Sequence, residues 1–412
     1  MTGVMIQLSP RGKVIYQFLS LTVFLVLLYG IGFSLSALSQ LPVPPLAGLF
    51  SAVASQRFTA QIFKLLCLTG FISAGIMMAQ ESLSDKAIIR MLRGWVVVVA
   101  LTAVVSPFEY DPLLDTGIAL ALLVLLAWSL RAVASSSFLR VWRLGMFLIA
   151  ISLPAAHFAT SGAAEAIAAF QVQAAFPLCA LSTVFWLMPR YSSVGGESAG
   201  GSLRIVAVLL CLGGSLISLG RLGLTGIIGL SAAPLIVLCY IILGSHLARS
   251  LRNRNENNSL APHWIALATL CWVAGGFLGG ISVQNGVSRA MRGTDMSAAQ
   301  DWLGGWVIVA VALAFINEAA RSLRGDNRRV TGYLPLWLIA FGMSLSFIAQ
   351  LCRGVAQFYL REFGSDASVS EAELLLPITV VWVICLLAIV VGVVVYTLGY
   401  FLRRPEIRVV ER

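Results

Sequence analysis

Twelve long apolar runs, nearly free of charge, constrain this chain more than any other feature of it. They cover residues 14–38, 58–80, 91–108, 114–133, 140–160, 163–189, 203–222, 226–248, 263–284, 298–320, 332–358 and 373–402. About 20 residues at roughly 1.5 Å rise cross the hydrocarbon core of a bilayer, so each run can span it as a helix. Inside lipid a backbone amide finds no water, and a helix satisfies its hydrogen bonds within the run itself. With 59% apolar and 11% charged residues, the chain has too little polar side-chain material to coat a water-soluble protein. The expectation is an all-α, polytopic membrane protein with twelve transmembrane helices, forming a single integral domain over residues 1–412. The first run is too long for a signal-peptide core and lacks a small-residue cleavage pattern, so it is read as a helix.

A net charge of +10 invites a nucleic-acid reading, but the distribution of the charges excludes it. Arg11 and Lys13, Lys86/Arg90/Arg93, Arg131/Arg140/Arg143, Arg190/Arg204, Arg249/Arg252/Arg254, Arg321/Arg324/Arg328/Arg329 and Arg403/Arg404/Arg408/Arg412 fall on alternate loops. That is the positive-inside pattern, which puts both termini in the cytoplasm. The other loops carry Glu109, Asp111, Asp115, Glu362, Asp366, Glu371 and Glu373. The seven cysteines stand singly inside apolar runs, without CxxC or Cys/His spacing, so neither a disulfide framework nor a zinc site is expected.

Polar residues inside the runs are few enough to weigh one by one. Gln61 and Lys64 share a helix face, and the ammonium either snorkels outward or points into a polar interior. Glu109, Asp111 and Asp115 read as acids at a helix entry, where the dipole favours them. His157 reads as a packed or interfacial residue near the end of its run. His246 and His263 flank the polar loop 252–258 and read as solvated interface side chains, since no third ligand accompanies them. Gln350, Arg353 and Gln357 recur at helical spacing, which suits interhelical hydrogen bonding or a polar lining, and Gly342 and Gly354 permit close helix approach. The glycine- and serine-rich segment 194–202 follows no strand and precedes no Lys-Ser/Thr pair, so it reads as a flexible turn rather than a phosphate loop.

Three stretches carry a resemblance. Thr294-Asp-Met-Ser-Ala-Ala-Gln-Asp-Trp-Leu-Gly-Gly-Trp306 leads into the tenth run, and Ser182-Thr-Val-Phe-Trp-Leu-Met-Pro-Arg-Tyr191 closes the sixth. The eleventh places Trp337, Gly342, Ser344, Gln350, Gly354 and Gln357 in order. These stretches resemble helices ten, six and eleven of the heme-copper oxidase catalytic subunit (subunit I), nearest the cbb3-type and nitric-oxide-reductase branch. The resemblance implies a subunit I-like twelve-helix bundle, and it implies where metal ligands would stand. In the family, histidines occupy the positions of Gln300 and Trp302, one for each heme iron, and the second-helix ligand position is Gln61. A copper-binding histidine would fall near Ala169 and Phe170, with the amides of Gln171 and Gln173 close by. Arg221 and Leu222 stand near a His-His pair that completes the copper site.

An amide is a poor copper ligand, and a guanidinium repels a metal ion. A catalytic subunit of that family needs about six imidazoles, whereas this chain has three histidines and none at a matched position. The resemblance and its departures lead to the expectation of a redox-inactive homologue without heme or copper, acting as a structural or assembly subunit of a membrane respiratory or electron-transfer complex. Its setting would be a bacterial inner membrane, and its partners other membrane subunits, a cytochrome-containing complex among them. A transporter or channel is the alternative, with Lys64, Gln61, Gln300, Asp301 and Arg353 along a polar path and Lys64, Asp301, Gln350, Arg353 and Gln357 as the candidate intramembrane polar site, although no convincing inverted repeat accompanies it. A quinone- or single-heme-binding subunit is the third reading. Trp302, Trp306 and Phe315 are large enough to fill space that a porphyrin would take, giving a solid or lipid-plugged bundle.

Overall fold

The computed structural model describes residues 6–8, 10–38, 52–79, 83–105, 111–130, 136–192, 196–222, 227–253, 259–281, 287, 291, 294–324, 329–363, 371–402 and 407–409. Among them, twelve helices are long and apolar enough to cross a membrane. They are α1 (Pro10–Leu38), α2 (Ala52–Met78), α3 (Asp85–Val105), α4 (Asp111–Ser129), α5 (Ser137–Phe158) and α6 (Ser161–Tyr191). The second half comprises α7 (Gly196–Arg221), α8 (Ile227–Arg252), α9 (Ala261–Ile281), α10 (Asp295–Arg324), α11 (Tyr333–Phe363) and α12 (Glu371–Leu402). Two short strands, β1 (Ile6–Leu8) and β2 (Ile407–Val409), pair in parallel and bring the two chain ends to one side of the bundle, the terminal face. The opposite side is the far face.

Helix α10 is the hub. It touches α1, α2, α6, α9 and α11, and 94% of its most apolar window is buried, more than for any other described crossing. Small residues make that possible: Ala299, Ala310, Ala314, Ala319 and Ala320 are all buried and let neighbouring helices close in. Helices α11 and α12 interlock through one glycine each. A Cβ at Gly342 would lie 2.6 Å from Ile389, and one at Gly392 would lie 2.8 Å from Ile339, so each glycine admits an isoleucine of the other helix. Indole N–H groups tie α2 to its neighbours: Trp95 of α3 donates to Thr69 Oγ1 at 3.0 Å, and Trp142 of α5 donates to the Phe71 carbonyl at 2.8 Å.

The segment 194–202 corrects the sequence reading. From Gly196 onward it forms the first turns of α7 rather than a flexible turn. Two of its small residues are contact residues: a Cβ at Gly200 would lie 3.3 Å from that of Ser137, and Ser202 Oγ lies 2.6 Å from His246 Nε2. Tertiary packing thus overrides the helix cost of glycine, about 1 kcal/mol each. The proline-containing loop 41–48 and the polar loop 254–258 lie outside the described residues.

Candidate functional site

The helices that would carry heme ligands, by the oxidase resemblance, are α2 and α10. On α10, Trp302 and Trp306 meet edge to face with ring centroids 5.4 Å apart. Trp302 lies 4.4 Å from Phe33 of α1, and Trp306 lies 5.7 Å from Tyr29 of the same helix. Tyr29 continues to Phe63 of α2 at 5.2 Å, and Phe33 continues to Trp382 of α12 at 6.5 Å. The rings of Trp382, Phe33, Trp302, Trp306, Tyr29 and Phe63 therefore form one unbroken run through the bundle. Phe315 does not join them; it packs against Trp186 at 6.2 Å, further along α10 toward the terminal face. A partly open pocket of about 310 Å³ lies beside the rings, bounded by Tyr29, Phe63, Val172, Phe176, Gly304 and Gly305, which suits the lipid-plugged form of the expected bundle better than the solid one. The glycine pair keeps it open, since a Cβ at Gly304 would stand 3.2 Å from Val172.

Beside this run the structure buries neutral polar groups. Gln61 and Gln300 are each 3% exposed. Gln300 Oε1 and the indole nitrogens of Trp302 and Trp306 have no hydrogen-bond partner in the protein. Helix α6 is interrupted by a π-helical turn at Gln171–Ala175, where Ala174 packs on α7 so closely that a Cβ at Gly214 would lie 2.8 Å from its methyl. Gln173 of this turn and Gln300 converge on Gly279 of α9, where a Cβ would sit 2.9 Å from Gln300 Nε2 and 3.2 Å from Gln173 Nε2. Gln171 Nε2 is also buried without a partner.

The polar residues of α11 belong to a different place. The Asp295 backbone N–H donates to Gln357 Oε1 at 2.8 Å, and the Asp295 carboxylate lies 2.8 Å from the Arg353 guanidinium, which faces the Trp382 ring at 5.9 Å. Gly354 is required here, because a Cβ would run into the Met296 backbone nitrogen. Arg353 and Gln357 therefore fasten α11 to the start of α10, which is the interhelical role weighed for them. Gln350 is buried with its Oε1 unpaired. The Asp301 and Arg221 side chains lie outside the described residues, and Leu222 is exposed.

Lys64 sits elsewhere again, in a cluster that sequence reasoning missed. Lys64 Nζ donates to Asp115 Oδ1 and Oδ2 at 2.9 and 2.7 Å, and His157 Nε2 lies 2.8 Å from the same Oδ2. Asp115 is therefore a buried anion joining α2, α4 and α5, not an acid serving only a helix entry. His157 is its partner rather than an isolated packed residue, and Lys64 is paired instead of snorkelling freely. One signal was available. Lys64, Asp115 and His157 each fall within five residues of the far-face end of their crossings, which begin at Thr59 and Pro112 and end at Phe158. Three helices thus present ionisable groups at one level.

The other two histidines are held apart from each other. His246 is 5% exposed, bonded to Ser202, with its ring 5.6 Å from Phe185; this corrects its reading as a solvated side chain. His263 meets Tyr333 edge on at 5.5 Å. Arg190 stacks on Trp186 at 3.8 Å at the end of α6.

No protein-family model matches the sequence, and no curated protein matches it. Among solved structures, a heme-copper terminal oxidase determined as a dimer by cryo-EM is similar, with a TM-score of 0.65 and 11% identity over 97% of this chain and 85% of that one. The likeness is one of fold: the protein is a multi-pass membrane bundle with a heme-copper oxidase subunit I-like architecture.

Proposed function

We propose that this chain is a redox-inactive relative of the oxidase subunit I, nearest the cbb3-type and nitric-oxide-reductase branch, and that it serves as a structural or assembly subunit of a respiratory or electron-transfer complex. The observation that carries the reading is Trp302. Where the resemblance expects an iron-binding imidazole, an indole offers no lone pair in its ring plane, and this one is wedged between Phe33 and Trp306 at 4.4 and 5.4 Å. Gln61 and Gln300 supply only amides, and the three histidines contact Asp115, Ser202 and Tyr333. Among the described residues no three His, Cys, Asp or Glu side chains converge. This donor set does not fit a heme iron or a copper ion, which call for imidazole, thiolate or thioether ligands.

The transporter reading is served less well. Its two described cations, Lys64 and Arg353, lie in separate places, and each pairs with a carboxylate of its own. The positive-inside pattern supports a bacterial inner membrane with the terminal face in the cytoplasm. Purification from native membranes in mild detergent tests the proposal, with an absorption spectrum, metal analysis and mass spectrometry of co-purifying subunits. The expected result is no Soret band, substoichiometric iron and copper, and a cytochrome-containing partner. Stoichiometric heme iron or copper on this polypeptide alone would sink it.

A further inference from the structure

The cluster of Lys64, Asp115 and His157 belongs neither to the ring run nor to the α10–α11 clasp, and it holds one base more than joining the helices requires. The Asp115 side chain is 3% exposed, whereas those of Lys64 and His157 are 25% and 26% exposed. The carboxylate therefore lies behind two bases that are partly exposed, near the far-face ends of their helices. A buried carboxylate needs one cation, and Lys64, in reach of both oxygens, supplies it. With Lys64 charged and Asp115 ionised the cluster is already neutral, so His157 is not needed for charge balance.

What His157 adds is capacity for one more proton. A bare Nε2 would point its lone pair at the carboxylate oxygen, so in the neutral ring Nε2 carries the hydrogen and donates it to Asp115. An incoming proton then lands on Nδ1, with no other bond broken, and the cluster passes from neutral to +1. The Nε2–H···Oδ2 bond, already assisted by the ionised carboxylate, then joins two opposite charges. His157 stands one turn beyond Pro154, which interrupts the hydrogen bonding of α5, so the bond acts on a short terminal turn that leads directly into α6.

The other charged groups described on the surrounding helices stand apart. Arg11 and Lys13 of α1, Asp85 to Arg93 of α3, Arg140 and Arg143 of α5, Arg190 of α6, and Glu197 and Arg204 of α7 belong to the terminal-face ends of their helices. On α10, Asp295 pairs with Arg353 and Glu318 with Arg321. Glu165, exposed near the start of α6, is a further far-face acid, while the side chains of Arg57 of α2 and Asp111 of α4 lie outside the described residues.

We infer that Lys64, Asp115 and His157 form a proton-binding site within the membrane domain, loaded from the far face on the imidazole of His157. Nitrogen-15 NMR of histidine-labelled full-length protein in lipid nanodiscs tests this, because the chain has three histidines, and the H157Q variant assigns the signal. The expected wild-type signal is the Nε2–H tautomer at high pH, titrating by one proton as pH falls. D115N should lower the midpoint by about one pH unit or more, and K64M should raise it, while His246 and His263 do not move. A His157 signal that keeps one protonation state from about pH 5 to 9 overturns the inference. So does a midpoint unchanged in D115N, which stands as an independent check should K64M, the more damaging change, not fold.

Discussion

The ring run through α1, α2, α10 and α12 and the ion cluster across α2, α4 and α5 lie in the same bilayer but treat polarity in opposite ways. In the first, six aromatic rings pack together while Gln300 Oε1 and two indole N–H groups go unpaired. In the second, a buried carboxylate is met by two bases within 2.9 Å. The difference follows from magnitude. A neutral buried group without a partner costs about 1–3 kcal/mol, which good packing can offset. An unpaired ion costs several kcal/mol more, which packing cannot offset.

Four substitutions would break or sharpen this contrast. Lys64→Met should do the most damage, about 3 kcal/mol, because it removes the cation in reach of both Asp115 oxygens and leaves His157 beside the carboxylate; a quarter-exposed lysine places it at the low end for breaking such pairs. Denaturant unfolding in detergent measures this, and the K64M/D115N double variant should recover most of the loss. If the double variant is as unstable as K64M, charge is not what the cluster resolves. Trp306→Ala follows at about 3 kcal/mol or slightly less, through a cavity beside one that already measures about 310 Å³. A thermal melt followed by fluorescence reads that loss, and an unchanged melting temperature would mean that the rings do not hold the bundle.

Gly354→Ala comes next, at about 1–3 kcal/mol, because the added methyl meets Met296 backbone, which cannot give way as a side chain can. Hydrogen exchange should show the loss as faster opening at the start of α10 with α4 and α5 unaffected. Gln300→Leu is expected to have the smallest effect, between zero and about 1 kcal/mol of stabilisation, since it removes a buried amide oxygen that has no partner. A clear destabilisation in the same melt would show that this amide is satisfied and would erase half of the contrast.

Much of the fold is legible in the chain. All twelve crossings fall where the apolar runs lie, and Gly342 and Gly354 pack as their spacing suggested. The candidate site was legible only in part. Trp302 and Trp306 were recognisable as space-filling, but Phe315 was grouped with them although it meets Trp186, because distance along a helix says nothing of which neighbour stands beside it. The segment 194–202 misled through its composition, since Gly200 and Ser202 contact α5 and α8. Lys64, Asp115 and His157 looked like three unrelated residues because each lies on a different helix.

The amino-acid sequence by itself determined that this protein is a twelve-helix membrane bundle, because hydrogen-bond satisfaction in lipid is a local requirement that every run meets alone. Only the tertiary structure decided which polar groups meet: Asp115 with Lys64 and His157, Asp295 with Arg353. Those pairings depend on the rotation and depth of separate helices against one another, which are set by packing among residues far apart in the chain.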